Sequence, residues 1–274
     1  MIVSHKYKFI FVHINKCGGT SVTRALLPFL GEDDLVLGGS PETEKLSEEY
    51  LAKHGIYKHS TASEIRRFVG DDVWDSYYKF ATIRNPWDKI VSTYFWFHKT
   101  GWGKGGKGDK VRSLDFEAYA KSQWMDELGC SDFLYDGNDL LVDDVFRVEN
   151  LNEMLAYISG KYHLPYKSAP RSNSTKHHHY SFYYRTEESK QRVANRFAND
   201  IKNFNFEFES SSESDYSLAQ HEIDFLRDLA IQNENSDVSL AQKLMSIAYN
   251  ARPEGSLIKK KLNDYETLLS KKED

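Results

Sequence analysis

The chain has 274 residues, with 36 Lys and Arg against 41 Asp and Glu, a formal net charge of -5. That length suits one α/β domain with its own core and a small appendage, and the acidic balance argues against a general nucleic-acid binder, which is usually basic. A hydrophobic content of 40% with 28% charged residues is ordinary for a globular protein.

The opening "MIVSHKYKFIFVHI" has neither the long apolar core of a signal peptide nor the roughly 20-residue apolar span of a membrane helix. No later segment reaches that length, so the sequence predicts no membrane span and a cytoplasmic protein. Only two cysteines occur, Cys17 and Cys130; they do not make a disulfide framework and fit a reducing compartment.

Tyr7 to Ile14 has the aromatic and β-branched richness of a buried strand. "HINKCGGTSV" follows, His13 to Val22, with a lysine ahead of two glycines and two hydroxyls. Val22, Ala25, Leu26 and Phe29 then fall at helical spacing, and Gly31 is placed to end the helix. Strand, glycine loop and helix form a βα unit whose loop faces a helix N-terminus. Unpaired N–H groups and the helix dipole there favour a phosphate or sulfate.

In "HSTASEIRRFVG" Thr61 and Glu64 match a capping box, which starts a helix near Thr61 and leaves His59 on the loop before it. "YYKFATIR" reads as a second strand and "NPWDKIVSTYFWFH" as its exit helix, with Asn85 as cap and Pro86 at the first helical position. "GWGKGGKGDK", Gly101 to Lys110, is too glycine-rich to hold a fixed shape alone. "LLVDDVFRVEN" reads as a third buried strand before a helix around "LNEMLAYI". Strands alternating with helices imply a parallel sheet with sites at the C-terminal ends of its strands.

"RSNSTKHHHYSFYY", Arg171 to Tyr184, is basic and aromatic, and precedes a helix marked by Val193, Phe197 and Ile201. "ESSSESD", Glu209 to Asp215, reads as a linker. Three helical stripes follow: Ala219, Ile223, Leu226 and Ala230; Leu240, Leu244 and Ile247; Ile258, Leu262, Tyr265 and Leu269.

The chemistry turns on the glycine loop. A nucleotide-hydrolysing loop reads G-x-x-x-x-G-K-[ST], but Lys16 precedes Gly18 and Gly19 here, although Thr20 and Ser21 hold the hydroxyl places. Such an enzyme also needs a magnesium carboxylate at a strand end, for which Asp143 or Asp144 is the candidate. Read together, "HINKCGGTSV" and "TIRNPWDKIVSTYFWF" resemble the sulfotransferases that use 3′-phosphoadenosine 5′-phosphosulfate, in particular the carbohydrate-type, family 2-like branch. The resemblance runs on through "KHSTASEIRRFVG", "VFRVENL" and the stretch from Lys176 to Phe208, covering roughly Tyr7 to Phe208.

The resemblance implies a P-loop-like α/β fold, a parallel sheet flanked by helices, which is assigned to residues 1–212; the three helical stripes make residues 213–274 a small helical C-terminal appendage. The resemblance also implies that Lys16, Cys17, Gly18, Gly19, Thr20 and Ser21 grip the 5′-phosphosulfate, and that Arg84 and Ser92 bind the 3′-phosphate. The physics agrees, since a donor charged at two places needs two anion sites, and arginine's planar fork suits a phosphate. Arg171 and Lys176 are further candidate donor contacts. This branch often has proline where Asn15 stands, and threonine or alanine where Cys17 stands; neither change removes a charge or a hydroxyl.

Sulfuryl transfer needs charge stabilisation on the leaving phosphate oxygen, for which Lys16 is the candidate, and a base for the acceptor hydroxyl, for which His59 is the candidate. No metal is called for by this charge balance, and the adjacent His177, His178 and His179 lack spaced partners for one. Structural roles are weighed beside these: His13 packing at its strand end, Glu149 fixing a turn, Cys17 as a small loop residue. The expected acceptor bears a hydroxyl and is a glycan, with Trp102 and the lysines of the Gly101 to Lys110 segment suited to an acidic sugar chain. A nucleotide kinase or hydrolase and a non-catalytic nucleotide-binding protein are the alternatives, and the sequence leaves the oligomeric state open.

Overall fold

The structure, a computed structural model, describes residues 1–165, 168, 179–210, 218 and 220–270. Arg171, Lys176, His177 and His178, residues 211–215 of the linker and Ala219 lie outside the described residues. In chain order the elements are β1 (Ile2–Ser4), β2 (Phe9–Val12), α1 (Gly19–Leu26), β3 (Leu35–Val36), α2 (Pro41–His54), α3 (Ala62–Val69), α4 (Asp71–Ser76), β4 (Tyr78–Ile83) and α5 (Pro86–Thr100). Then come α6 (Lys107–Arg112), α7 (Phe116–Lys121), α8 (Cys130–Leu134), β5 (Tyr135–Asp136), β6 (Asp139–Leu140), β7 (Asp144–Arg147), α9 (Leu151–Lys161), α10 (Glu187–Arg196), α11 (Ala198–Phe204), α12 (Gln220–Asn233), α13 (Val238–Ala251) and α14 (Ser256–Ser270).

The molecule is mixed α/β, with a five-stranded sheet in the order β3-β1-β2-β4-β7. The three strands read from the sequence, β2, β4 and β7, are its parallel side; β7 ends the sheet and is only partly buried, not the buried strand expected, because an edge strand has a neighbour on one side alone. The expectation of a wholly parallel sheet is corrected at the edge, where β1 runs antiparallel to both β2 and β3. Only His5 to Lys8 connect β1 to β2, and so short a link forces a hairpin, because a parallel return needs a crossover. Asp34 anchors that hairpin: its carboxylate accepts the Ser4 hydroxyl at 2.7 Å and the His5 and Lys6 N–H groups at 2.7 and 3.0 Å.

The continuous apolar run of β2 is explained by burial on both sides, as for any central strand covered on two faces. Phe9 and Phe11 pack with Val22 and Leu26 of α1 and with Leu155 and Ile158 of α9. Ile10 and Val12 pack on the other side with Ile65 of α3 and with Phe133 and Leu134 of α8.

Three helix boundaries differ from the sequence reading. α1 stops at Leu26 rather than near Gly31, because Pro28 brings in a short 3-10 turn over Leu27–Phe29. The glycine-rich stretch after Gly101 is not shapeless; it turns into α6, where Arg112 donates to the carbonyls of Phe97 and Trp102 at 3.1 and 2.9 Å. The helix through Val193 and Ile201 is two helices that meet at Phe197.

The described chain divides into two compact units, Met1–Thr175 with Tyr183–Glu209, and Lys176–Phe182 with Ser210–Asp274. In the second, α12, α13 and α14 enclose Ile223, Ala230, Met245, Ile258 and Tyr265. The stripe expected on α13 is corrected by one residue. Ala241, Met245 and Ala248 are buried, whereas Leu240 and Ile247 are 40% and 46% exposed. The two small alanines let neighbouring helices approach closely, which larger leucines would prevent. Among the described residues no helix is long and apolar enough to cross a membrane.

Candidate functional site

The parallel pairing of β2 with β4 sets Val12 beside Ala81, so the segments leaving both strands emerge at the same edge of the sheet. One carries Lys16, the other Arg84. The loop after β2 is tight: the Cys17 N–H donates to the Ile14 carbonyl, and Lys16 adopts a left-handed φ of 63°. A non-glycine residue there is strained, which motivates a functional reading of the loop. Gly18 follows at φ 79°, where an added Cβ would lie 2.9 Å from both Leu151 and Val148. At Gly19 an added Cβ would lie 2.0 Å from the His13 ring. Both glycines are required by this packing. α1 begins at Gly19 with no side-chain cap, so its first N–H groups are left for a ligand or water.

Lys16 is largely enclosed, its Nζ 4.9 Å from the centre of the Trp96 ring. Burial first, then the positive charges of Arg84 and Lys99, lower its pKa to about 7. Such a lysine gains charge when an anion arrives beside it. Arg84 reaches across from the end of β4: its Nη1 donates to the Lys16 carbonyl at 3.1 Å and its Nε to Asp88 at 2.6 Å. Asp88 stands four residues on, at helical spacing. Asn85 caps α5 through the Trp87 N–H, as its position predicts, and Ser92 is buried two turns further along the helix. Glu149 follows β7 at the same edge, where burial and the charge of Asp88 raise its pKa.

His59 stands just before α3, whose capping box of Thr61 and Glu64 forms as expected. Its Nδ1 is 2.8 Å from the His13 carbonyl, and the two imidazoles meet edge to face at 4.7 Å. A carbonyl only accepts, so Nδ1 carries the proton and Nε2 keeps its lone pair. Burial, aided by Lys58, lowers the His59 pKa to about 4 despite the bond to His13. His59 is therefore a neutral acceptor at neutral pH.

Lys16, His59 and Arg84 are thus tied to one loop through the backbone carbonyls of His13 and Lys16. Thr20 and Ser21 lie in the first turn of α1. His179 contacts the Ser181 hydroxyl at 2.9 Å within its own unit. Asp143 and Asp144 fall elsewhere, since Asp144 pairs with Phe80 at the start of β7 while Arg147 pairs with Ile83 at its end. Both acids are engaged there, Asp144 by the Tyr78 hydroxyl at 2.6 Å and Asp143 by the Lys79 N–H at 2.7 Å. They sit at the wrong end of the strand to serve the Lys16 loop.

Three neighbours were not singled out from the sequence. Trp96 lies under Lys16, Asp88 holds Arg84, and Glu127 bridges the Asn15 amide at 3.3 Å and Lys107 at 2.9 Å. Asp88 was legible as an i, i+4 partner of arginine; Glu127, 112 positions from Asn15, carries no local signal. Beside Glu127, Lys107, Gln123, Trp124 and Asp126 line an open groove of about 260 Å³, and Trp102 is 61% exposed nearby in sequence.

A family model described as the sulfotransferase family matches residues 1–124, the stretch that contains Lys16, His59, Arg84 and Ser92. An uncharacterized protein of Archaeoglobus fulgidus is 32% identical over 113 residues, which is 40% of this chain and 88% of that relative. No solved structure matches the chain significantly.

Proposed function

The chain belongs to the sulfotransferase family, and from that premise we propose that it moves a sulfuryl group from 3′-phosphoadenosine 5′-phosphosulfate to an acceptor hydroxyl. The observation that carries this reading is that His59 and Arg84 each bond a backbone carbonyl, of His13 and of Lys16, in the one segment that leaves β2 beside the end of the parallel strand β4.

The residues fit a donor charged at both ends. The uncapped start of α1, with Lys16 in the loop that leads into it, suits the 5′-phosphosulfate, and Arg84 with Ser92 is our reading of the 3′-phosphate site. In the reaction, the donor supplies the sulfuryl group, and Lys16 with the loop N–H groups stabilises charge on the departing phosphate oxygen. His59 Nε2 accepts the acceptor's proton while the His13 carbonyl holds the ring in the required tautomer. Asp143 and Asp144 stand at the opposite end of β7, which weighs against the kinase or hydrolase alternative in its magnesium-carboxylate form.

For the acceptor we propose a glycan bearing acidic groups. The exposed Trp102 can stack on a sugar face, and Lys107, which lines the groove with Trp124, is linked to Asn15 of the donor loop by hydrogen bonds through Glu127. The test is thermal shift with 3′-phosphoadenosine 5′-phosphate against ATP with magnesium, since only a ligand the pocket fits stabilises by mass action. Radiolabelled donor offered to glycans, lipids and small alcohols then identifies the acceptor. Equal stabilisation by both nucleotides overturns the donor assignment, and nucleotide binding without transfer to any pool favours the binding-protein alternative.

A further inference from the structure

Beneath the donor loop two thiols face each other. Cys17 Sγ and Cys130 Sγ are 3.8 Å apart, and both residues are fully buried. Cys17 follows Lys16 directly, and Cys130 opens α8. Their surroundings are charged rather than merely apolar. Lys89 of α5 is completely buried beside them, its Nζ donating to the Leu128 carbonyl at 2.6 Å. The Asp200 carboxylate, also buried, accepts the N–H groups of Cys130 and Ser131 at 2.6 and 2.7 Å. A cation beside a thiol favours its thiolate, the reactive form, which becomes accessible here only when the loop opens.

The two sulfurs are unequal. Burial alone would raise the Cys17 pKa, but the hydrogen bond with Cys130 and the charges of Lys89 and Arg84 bring it below the ordinary thiol value. Cys130, hydrogen-bonded to Cys17 and deeply buried, is pushed well above it. One is suited to act as the nucleophile, the other as its resolving partner.

We propose that Cys17 and Cys130 form a reversible dithiol–disulfide couple, oxidised by peroxide, that locks the Lys16 loop. The proposal rests on the reading of that loop as the donor site. The Cys17 thiolate attacks one peroxide oxygen; an S–O bond forms as the O–O bond breaks, and the hydroxide released takes up a proton to become water. Cys130 sulfur then attacks Cys17 sulfur, forming the S–S bond and expelling the second oxygen, which leaves as water with the Cys130 proton. Two thiols lose two electrons in all, and hydrogen peroxide is reduced to two waters. Hydrogen peroxide is small enough to reach the pair on local opening of the loop.

The geometric consequence follows from bond lengths. A disulfide holds its sulfurs about 2.05 Å apart, so closure from 3.8 Å draws Cys17 towards α8. Lys16 shares a peptide with Cys17, is already left-handed, and has its carbonyl held by Arg84. The loop therefore shifts as a unit away from the arrangement that meets an anion.

The test treats the folded, full-length protein with hydrogen peroxide, alkylates remaining thiols, and maps peptides by mass spectrometry. Binding of 3′-phosphoadenosine 5′-phosphate and amide exchange over residues 14–19 are measured before and after, and again after dithiothreitol. The expected result is a joined Cys17–Cys130 peptide lighter by two hydrogens, slowed exchange in the loop, and loss of nucleotide binding that dithiothreitol restores. Cys130→Ala, with Cys130→Ser as the second variant should the first not fold, is expected to bind nucleotide and to keep binding it after peroxide. Separate alkylation of both cysteines after peroxide overturns the couple. A joined peptide with unchanged loop exchange and unchanged binding overturns the lock. If the reduced protein itself fails to bind the nucleotide, the donor-site reading falls instead, and the couple is judged on the joined peptide and loop exchange alone.

Discussion

The Arg84 guanidinium donates to the backbone carbonyl of Lys16 at 3.1 Å, so one candidate phosphate ligand also fixes the shape of the loop that holds the other. Arg84→Ala is therefore expected to act twice. It should abolish the preference for 3′-phosphorylated over plain adenosine nucleotides, by roughly the 1.5–3 kcal/mol of a hydrogen bond to a charged group, and it should loosen the Lys16 loop. Ser92→Ala should shift the same preference by less. Calorimetry with the two nucleotides measures both, and a wild type that shows no preference removes the assignment.

Lys16→Ala should reduce turnover far more than it weakens binding of 3′-phosphoadenosine 5′-phosphate, because the charge of Lys16 is matched to the transition state. Lys16 also makes binding depend on pH. With its pKa lowered to about 7 in the free protein, it is mostly neutral at a pH of about 8, and a neighbouring dianion raises that pKa. Nucleotide binding should then take up close to one proton, and affinity should fall as pH rises above 7. Titrations in two buffers of different ionisation enthalpy measure the uptake; Lys16→Met should abolish it.

His59→Ala should lower turnover by about 10²–10⁴-fold with donor affinity nearly intact. The His59 pKa of about 4 and the Lys16 pKa of about 7 predict a bell for kcat/KM that rises through the first and falls through the second. An acidic limb centred near the ordinary 6.5 instead would assign the base to a more exposed histidine. The same shift bears on stability. A histidine whose folded pKa is depressed binds its proton more readily unfolded, so stability is lost as pH falls from about 6.5 toward 4. His13, lowered well below its usual value chiefly by burial, acts in the same direction. Thermal melts across that range should fall more steeply for the wild type than for His59→Gln.

Asp200→Ala should lower stability by about 2–3 kcal/mol, since it strips the charged acceptor from two buried N–H groups. Denaturant unfolding measures this. A loss well under 1 kcal/mol would mean that water replaces the carboxylate at the start of α8.

What the sequence determined by itself was local. The apolar run of β2, the paired glycines and the stripe of α1 define one unit; Asn85, Pro86 and the Thr61–Glu64 box define the starts of α5 and α3. Each signal spans a few residues and acts through backbone geometry or capping, so the chain need not be folded for it to be read. The order of the motifs carrying Lys16 and Arg84 was legible too, and with it the family.

Tertiary structure decided the rest. The antiparallel edge of the sheet depends on the four-residue link from β1 to β2 and on Asp34. The buried face of α13 depends on which side chains let neighbouring helices approach. The contacts that make a site join residues 46 positions apart in His13 and His59, 68 in Lys16 and Arg84, and 113 in Cys17 and Cys130. No periodicity or cap encodes such separations. They arise because a parallel sheet brings strand ends that are distant in sequence to one edge, and burial there shifts the charge of Lys16 and His59 in ways that composition alone does not contain.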